Sequence, residues 1–173
     1  VIEHKPIPAW FYSFGFSRGG AGFSNNVDTD DPAAGLGIQI SFGRLLDTPL
    51  QNTHLQLAAN YKYSPQGKLD DGEEKENRIL VTNYILEVAP IYHWSYSNWM
   101  AGAGLTYYTG SNINFNFRPD EKLEDNFGAV GIVEYAYNKR ITLGSRLDLI
   151  NQETPSGLEY NGSSFGLYTK GFF

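Results

Sequence analysis

Hydrophobic and polar residues alternate along most of this chain, and the pattern is clearest in its last stretch, Ser163–Phe173. One parity carries Phe165, Leu167, Thr169, Gly171 and Phe173, and the other carries Ser164, Gly166, Tyr168, Lys170 and Phe172. A period of two predicts a β-strand with two different faces, because successive side chains of a strand point to opposite sides. We expect this stretch to be the closing strand of an all-β protein.

The same alternation recurs along the chain and predicts eight strands in all. The predicted strands are Ala9–Phe23, Ala34–Leu45, Thr53–Ser64, Arg78–Trp94, Trp99–Phe117, Asn126–Tyr137, Arg140–Asn151 and Ser163–Phe173. Pro90 lies inside the fourth of them, where it removes a hydrogen-bond donor from the ladder. We therefore expect a bulge at Pro90, near the end of that strand.

The connections between the predicted strands alternate in length. Short turns are expected at Asp47–Asn52, Ser95–Asn98 and Asn138–Lys139, and polar loops at Ser24–Pro32, Pro65–Asn77, Pro119–Asp125 and Gln152–Gly162. An up-and-down meander whose two ends meet produces this order of long and short connections. The pattern predicts an eight-stranded antiparallel barrel.

Composition bears on which face of the barrel points outward. The mean hydropathy is −0.37, yet aromatic residues make up 15% of the chain, and there are 19 glycines. One face of the strands is aromatic and aliphatic, whereas the other is rich in Gly, Ser and Asn, and the ionic residues concentrate in the loops. A lipocalin-like soluble barrel would turn its apolar face inward and would show more Lys and Glu on the water-facing side. A transmembrane barrel is therefore the preferred interpretation.

Several aromatic residues fall near the predicted strand ends, where membrane barrels carry aromatic girdles. The candidate girdle residues are Trp10, Tyr12, Tyr63, Tyr92, Trp94, Trp99, Tyr107, Tyr135, Tyr137 and Phe173. Each predicted strand has at least the ~9–11 residues that a tilted membrane crossing needs. The sequence thus predicts a protein of the bacterial outer membrane, with residues 1–8 as a periplasmic leader, residues 9–173 as the barrel, short periplasmic turns and long extracellular loops.

Six charged residues share the parity predicted to face the lumen, namely Lys62, Glu87, Glu134, Arg146, Asp148 and Lys170. Side chains just fill the interior of an eight-stranded barrel, so charges there must pair to offset their desolvation. We expect Glu87, Glu134 and Arg146 to form a salt-bridge cluster, joined by Lys170 and Tyr168. Its role is predicted to be structural, and the alternative is a gate whose re-pairing opens a narrow water path.

Other residue types exclude some function classes. The chain has no cysteine, which excludes a disulfide scaffold and thiol catalysis, and its net charge of −6 argues against nucleic acid as a partner. The histidines are His4, His54 and His93, and the last two are predicted to lie near the periplasmic turns. Neither has a second ligand at a useful spacing, so we expect no metal and no cofactor.

The chain's ending on an aromatic residue resembles the closing strands of small eight-stranded bacterial outer-membrane β-barrel proteins. Its size, the long hairpin before the sixth strand and the segment Leu123–Gly128 (LEDNFG) also resemble the lipid A deacylases, which are enzymes with such barrels. That resemblance implies a catalytic histidine and serine two residues apart on the seventh strand. The corresponding stretch Gly144–Asn151 contains Ser145 but no histidine, and a serine without a base in reach is not activated.

Barrels that transfer palmitoyl groups need a histidine in their extracellular loops, and the predicted loops have none. We therefore expect no catalytic residues, and a structural or surface-interaction role carried by the extracellular loops. Expected partners are outer-membrane lipids, lipopolysaccharide and a protein bound through the loops or the barrel wall. The alternatives are an enzyme that modifies lipid A or phospholipid, and a narrow channel or carrier for small molecules. The acidic loops are expected to be solvated tips, or to bind divalent cations or cationic partners.

Overall fold

The structure is a computed structural model that describes residues 9–19, 23–24, 36–69, 77–94, 97–115, 119–157 and 159–173. The predicted leader, residues 1–8, lies outside the described residues. The long strands within the described part are β1 Trp10–Gly19, β2 Leu36–Asp47, β3 Thr53–Leu69, β4 Asn77–His93, β5 Trp99–Phe115, β6 Asn126–Ala136, β7 Ile141–Leu149 and β8 Ser164–Phe172. The short strands are Phe23–Ser24, Glu121–Lys122, Asn151–Glu153 and Glu159–Asn161. No helix among the described residues is long and apolar enough to cross a membrane.

The long strands form one closed antiparallel sheet. Each strand pairs with its neighbours in sequence, and β1 also pairs with β8. That closing seam runs from Phe11 opposite Phe172 to Gly19 opposite Ser164. Because closure leaves no unpaired edge along the barrel, all ladder hydrogen bonds are made within the wall. The prediction of an eight-stranded antiparallel barrel is confirmed for the part of the chain that the structure describes.

Strand boundaries differ from the predictions mainly at the end of the barrel that carries the long connections. The first strand was expected to continue to Phe23 and the seventh to Asn151, but β1 ends at Gly19 and β7 at Leu149. Phe23 and Asn151 instead belong to short strands that pair with Glu159–Asn161. In contrast, β3 extends beyond its predicted end to Leu69.

The expected bulge at Pro90 is wrong. Val88 pairs with Leu105 and Ile91 pairs with Gly102, so the register between β4 and β5 is unchanged past the proline. The ladder to β5 skips Pro90, which has no N–H to donate, while Pro90 keeps its place opposite Leu55 in β3. The register between β4 and β5 instead shifts between Thr82 and Tyr84.

Buried and exposed residues alternate along the strands. The exposed face is the apolar one, as the sequence predicted for a membrane barrel. In β1 the pattern of exposed and buried residues is strict from Trp10 to Arg18, and in β2 from Leu36 to Leu45. The outer wall exposes large apolar side chains, among them Phe14, Ile40, Leu86, Leu105, Leu143, Leu167 and Phe173. A wall of this kind is stable in lipid, because apolar surface there need not be hidden from water.

The lumen is filled in layers. Apolar side chains close the end near the short turns, with Phe11 packed on Leu45, and Ile91 and Met100 in a second cluster beside them. Charged and amide side chains fill the middle, among them Glu87. Above them lies an apolar cluster of Ile85, Tyr108 and Ile150.

The end of the barrel with the long connections carries a folded extension, which we call the crown. It consists of the four short strands, the segment Leu123–Asp125 and the adjoining ends of β3, β4 and β5. Glu121–Lys122 folds back and pairs with Asn112 and Ile113 of β5. A small apolar core holds these pieces together and is formed by Val81, Ile113, Phe115, Leu123 and Tyr160.

The seam between β1 and β8 requires glycine at position 15, where a stability test is available. A Cβ atom at Gly15 would lie 2.6 Å from the backbone oxygen of Leu167 and 2.6 Å from Cβ of Tyr168. Gly15→Ala should therefore lower the free energy of unfolding by about 1–3 kcal/mol, the usual cost of overpacking. The folded barrel should migrate faster than the unfolded chain on SDS gels of unboiled samples. The measurement is the urea concentration at which half of this fast-migrating form is lost.

The matched control is Gly131→Ala, because a Cβ atom at Gly131 would meet nothing within 4 Å. Its midpoint should equal that of the wild type or exceed it slightly. Equal midpoints for Gly15→Ala and wild type would contradict the close approach of β1 and β8. Failure of the wild type to change mobility on boiling would contradict the closed barrel itself.

Candidate functional site

The lumen holds the six charged residues that the sequence assigned to an interior polar network. Because the strand period is two, inward positions on β3, β4, β6, β7 and β8 bring them into one narrow space. The network residues are all at most 6% exposed and are Lys62, Glu87, Glu134, Arg146, Asp148 and Lys170. Among the buried residues that the structure describes, three cations thus face three carboxylates.

Arg146 is the centre of the first part of this network. Its Nη2 lies 3.0 Å from Oε2 of Glu87 and 2.6 Å from Oδ1 of Asp148, and its Nε donates to Asp148 at 3.2 Å. The planar guanidinium suits such a position because it can serve two carboxylates at once and stays charged when buried. Lys62 completes the group, with its Nζ at 3.9 Å from Oδ2 of Asp148 and a hydrogen bond to Ser164.

Glu134 and Lys170 form the second part of the network. Lys170 donates to Glu134 and, at 2.6 Å, to Oε1 of Gln56, and the hydroxyl of Tyr168 also donates to Glu134. The predicted cluster is therefore divided: Glu134 lies opposite Gly144 in the ladder and pairs with Lys170, whereas Glu87 pairs with Arg146. The ring of Tyr168 lies over Gly144, where no side chain obstructs its path to Glu134.

Neutral amides, which are not among the residues predicted for the network, connect its two parts. The Nε2 of Gln56 donates to Glu87 at 2.6 Å while its Oε1 accepts from Lys170. Asn60 donates to Glu87 at 3.3 Å and accepts from Gln39. Their inward parity on β2 and β3 was visible in the sequence, but uncharged amides give no signal that distinguishes a bridging role from simple filling.

The network leaves almost no free space. The cavity beside Arg146, Tyr168 and Lys170 has a volume of about 10 Å³, which is about enough for the centre of one water molecule. With apolar clusters above and below it, the described part of the lumen at this level is filled with side chains. Its chemistry is therefore that of paired and hydrogen-bonded ions.

The histidine and serine positions considered for chemistry lie apart from one another. Ser145 is on the outer wall, in a shallow groove of about 410 Å³ whose lining includes Trp99, Val133 and Leu167 but no histidine. His54 lies 3.6 Å from Asp47 near a short turn, and His93 is buried at the same end. Within the described residues, no group of three or more His, Cys, Asp or Glu side chains could hold a metal ion.

A second candidate site, which we call the acidic cleft, lies in the crown. It has a volume of about 700 Å³, within the range of small-ligand sites. Its lining is carboxylates and amides together with Tyr160, namely Glu124, Asp125, Asn126, Asn151, Gln152, Glu153, Glu159 and Asn161. The acidic character of one wall, Pro119–Asp125, is visible in the sequence, but no pattern in the sequence brings that wall together with Gln152–Gly162.

Hydrogen bonds hold the two walls of the acidic cleft together. The backbone N–H of Glu124 donates to the carbonyl of Glu153 at 2.7 Å, and the Asn126 amide donates to the carbonyl of Asn151 at 2.6 Å. Gln152 adds a bond from its Nε2 to the carbonyl of Glu124 at 3.2 Å. The cleft is thus formed by the fold of the crown and not by two independent loop tips.

The Asp125 carboxylate is fixed in place by its neighbours. It accepts hydrogen bonds from Thr109 at 2.9 Å, from the Tyr107 hydroxyl at 3.0 Å and from the backbone N–H of Gly110 at 3.3 Å. These bonds favour the ionised form, and those from Thr109 and then Tyr107 are the main reason that the pKa of Asp125 lies below its usual value. Asp125 therefore remains an anion even in mildly acidic solution.

The predicted girdle residues lie mainly at one end of the outer wall. Eight of them are near the short turns, namely Trp10, Tyr12, Tyr92, Trp94, Trp99, Tyr135, Tyr137 and Phe173. Tyr63 and Tyr107 lie toward the other end of the barrel wall, where Tyr107 contacts Phe127 with ring centroids 5.0 Å apart. Together with the apolar wall and the polar lumen, this arrangement is that of a transmembrane β-barrel. By fold, the chain is a small eight-stranded barrel of the bacterial outer-membrane type.

Solved structures of other proteins share this fold. The chain is similar to Neisserial surface protein A, with a TM-score of 0.62, 14% identity, and coverage of 95% of this chain and 97% of that one. It is also similar to Ail, the attachment invasion locus protein of Yersinia pestis, crystallised with the heparin analogue sucrose octasulfate. For Ail the TM-score is 0.52 and the identity 8%, with 95% of this chain and 97% of that one covered. A structure of Ail in a phospholipid bilayer nanodisc gives the same TM-score. No protein-family model and no curated protein matches the sequence.

The network around Arg146 can be tested by a double-mutant cycle. Arg146→Met alone leaves Glu87 and Asp148 buried with less compensation, and should cost about 3–5 kcal/mol of unfolding free energy. Arg146→Met combined with Glu87→Gln removes one charge of each sign and leaves Lys62 facing Asp148, so it should cost clearly less. Urea midpoints in detergent measure both.

The surface control is Lys139→Met in an exposed short turn, which should shift stability by no more than about 0.5 kcal/mol. If the stability lost by the double variant equals the sum of the losses of Arg146→Met and of Glu87→Gln alone, the charges of Arg146 and Glu87 are not coupled. In that case Glu87 does not stabilise the buried charge of Arg146.

Proposed function

We propose that this protein is a non-enzymatic barrel of a Gram-negative outer membrane that binds a partner at the cell surface through its crown. The observation that carries the proposal is the apolar core of the crown, in which Ile113 and Leu123 pack with Tyr160. Loops that serve only to connect strands do not need a core of their own. A folded extension beyond a membrane wall presents a defined surface to the outside.

The interior supports a structural role for the barrel itself. Paired charges around Arg146 and Lys170 occupy the lumen, and the cavity beside them measures about 10 Å³. A channel or carrier needs a continuous space for its cargo, and the described residues around Arg146 and Lys170 leave little room for one. We therefore propose that the interior polar network serves to hold the wall together.

The residues that would carry lipid hydrolysis are not assembled. Ser145 faces outward, in a groove without a histidine in its lining. His54 and His93 are at the end with the short turns, which is the periplasmic end in barrels of this type. A serine hydroxyl needs a base within hydrogen-bond reach to become a nucleophile. We therefore assign no catalytic residue.

The similarity to Ail supports a surface role. The charge of the acidic cleft, however, favours a partner different from the ligand that was crystallised with Ail. Ail, the attachment invasion locus protein, was crystallised with the heparin analogue sucrose octasulfate. In this chain the acidic cleft of the crown is lined by carboxylates such as Glu124, Glu153 and Glu159. Like charges repel, so the partner of this crown differs in charge from a sulfated sugar.

Site-specific photo-crosslinking on intact cells tests the surface role. A photoreactive amino acid at Asn126, which lines the acidic cleft beside the crown, should give adducts with an external partner, whereas one at Pro49 in a periplasmic turn should not. Adding Leu123→Ser, which places a polar group in the crown core, should abolish the Asn126 adducts while the barrel stays heat-modifiable. Adducts of equal strength from Asn126 with and without Leu123→Ser would contradict a role for the folded crown.

The non-enzymatic assignment has its own test. Purified protein incubated with lipid A or phospholipid in detergent should release no fatty acid detectable by mass spectrometry. A known outer-membrane lipid hydrolase in the same detergent serves as the positive control. Release of fatty acid that is lost in Ser145→Ala, His54→Ala or His93→Ala would overturn the assignment.

A further inference from the structure

A shallow groove interrupts the apolar wall that the barrel turns toward the membrane, and we call it the wall groove. It has a volume of about 410 Å³ and is lined by Trp99, Val133, Tyr135, Leu143, Gly144, Ser145 and Leu167. Its floor is low at Ser145, which lies in one row between the larger, exposed side chains of Val133 and Leu167. A flexible chain laid in such a groove touches the wall on more than one side, which adds van der Waals contacts that a flat wall lacks.

The wall groove begins at the level of the aromatic girdle. Trp99, Tyr135 and Leu143 form one row across three strands near the short turns, with Trp99 and Tyr135 in edge contact at 5.1 Å between ring centroids. Ser145 lies in the next row of outward residues, farther from the turns. Tryptophan and tyrosine mark the level of the lipid headgroups. The groove therefore runs from the headgroups into the acyl-chain region, at the end that is periplasmic in barrels of this type.

Two cations lie in the short turn next to the wall groove. This turn joins β6 to β7, the two strands that supply most of the groove lining. Lys139 and Arg140 are both exposed in it. Asn138 fixes the turn, because its Oδ1 accepts hydrogen bonds from the backbone N–H of Arg140 at 2.8 Å and of Ile141 at 2.9 Å. The fold thus places two positive charges at the headgroup level, beside the mouth of an apolar groove.

The order of charge and apolar surface at this place matches a phospholipid. The planar guanidinium of Arg140 can donate to two phosphate oxygens at once, and the ammonium of Lys139 adds a second charge. Each group has several N–H donors, so a contact with phosphate does not require that it lack other partners. Basic residues at a membrane surface favour lipids that carry net negative charge.

From these observations we infer that the wall groove and the adjoining turn form a binding site for an anionic phospholipid of the membrane. Its phosphate lies at Lys139 and Arg140, and one of its acyl chains lies in the wall groove. Because Asn138 already holds the turn, little backbone freedom is lost on binding, which favours affinity. The site is at the opposite end of the barrel from the crown, and the inference does not depend on the proposed surface role.

Trp99 lines the wall groove and can report its lipid contacts, because bromine atoms on a nearby acyl chain quench its fluorescence. Trp10→Phe and Trp94→Phe leave Trp99 as the single tryptophan of the chain. This protein is reconstituted in phosphatidylcholine vesicles that contain a small fraction of brominated phosphatidylglycerol, or of brominated phosphatidylcholine with the same chains. The anionic lipid should occupy the site at least about fivefold more strongly. The preference should shrink as salt is raised from about 0.02 to 0.2 M, because exposed charges are screened.

Matched variants of the single-tryptophan protein locate the preference. Arg140→Gln should lower it at least about twofold, and adding Lys139→Gln should bring the two lipids close to equality. Arg44→Gln removes an exposed cation on β2 and should leave the preference unchanged. Ser145→Leu fills the floor of the wall groove and should abolish most of the preference, whereas Ala59→Leu adds the same side chain to the exposed face of β3 and should not. The unboiled gel mobility of each variant confirms that the barrel has folded.

Several results would overturn the inference. Equal quenching of Trp99 by the two brominated lipids would show that the turn selects no headgroup. An equal loss of preference in Arg44→Gln would show general attraction to the rim, and a preference unchanged by Ser145→Leu would remove the wall groove from the site. Weak quenching by both lipids, together with dimers on unboiled gels, would assign the wall groove to a second copy of this chain. None of these results bears on the crown, which photo-crosslinking tests separately.

Discussion

The pairing of β1 with β8 closes the sheet, and this closure limits the space in which all inward side chains must pack. An eight-stranded sheet encloses a lumen only as wide as the side chains that fill it. Because the apolar residues face outward, the polar and charged residues of the strands face the lumen. Each buried charge must therefore pair with another group inside this narrow lumen. The contacts of Arg146 with Glu87 and Asp148, and of Lys170 with Glu134, follow from this restriction.

Small residues in the wall decide which partners can meet. Gly144 lies between Glu134 and Tyr168 in one row across three strands, and its missing side chain lets the Tyr168 hydroxyl reach the carboxylate. Gly15, on the other side of Tyr168, lets β1 approach β8 closely. The polar interior therefore depends on positions without side chains as much as on the charged residues themselves.

Sequence parity was sufficient to separate the inside from the outside of the wall, since a period of two assigns a face to each residue. It placed Lys62, Glu87 and Arg146 in the lumen, where the structure has them. Sequence parity could not predict which residues pair across the lumen. The stagger of the strands decides which inward residues lie at the same height along the barrel axis. The acidic cleft was likewise hidden, because it needs Glu121–Lys122 to fold back on β5 and two short strands to pair. Neither step is marked by the alternation of apolar and polar residues.

The distribution of charge among the strands has a consequence for the closed state of the barrel. Lys170 is on β8, which closes the sheet against β1, while its partner Glu134 is on β6. Without β8, the described lumen residues contain Lys62 and Arg146 against Glu87, Glu134 and Asp148, so one negative charge is in excess. An unbalanced ion holds water around itself. Closure of the wall and desolvation of its interior are therefore coupled through one lysine.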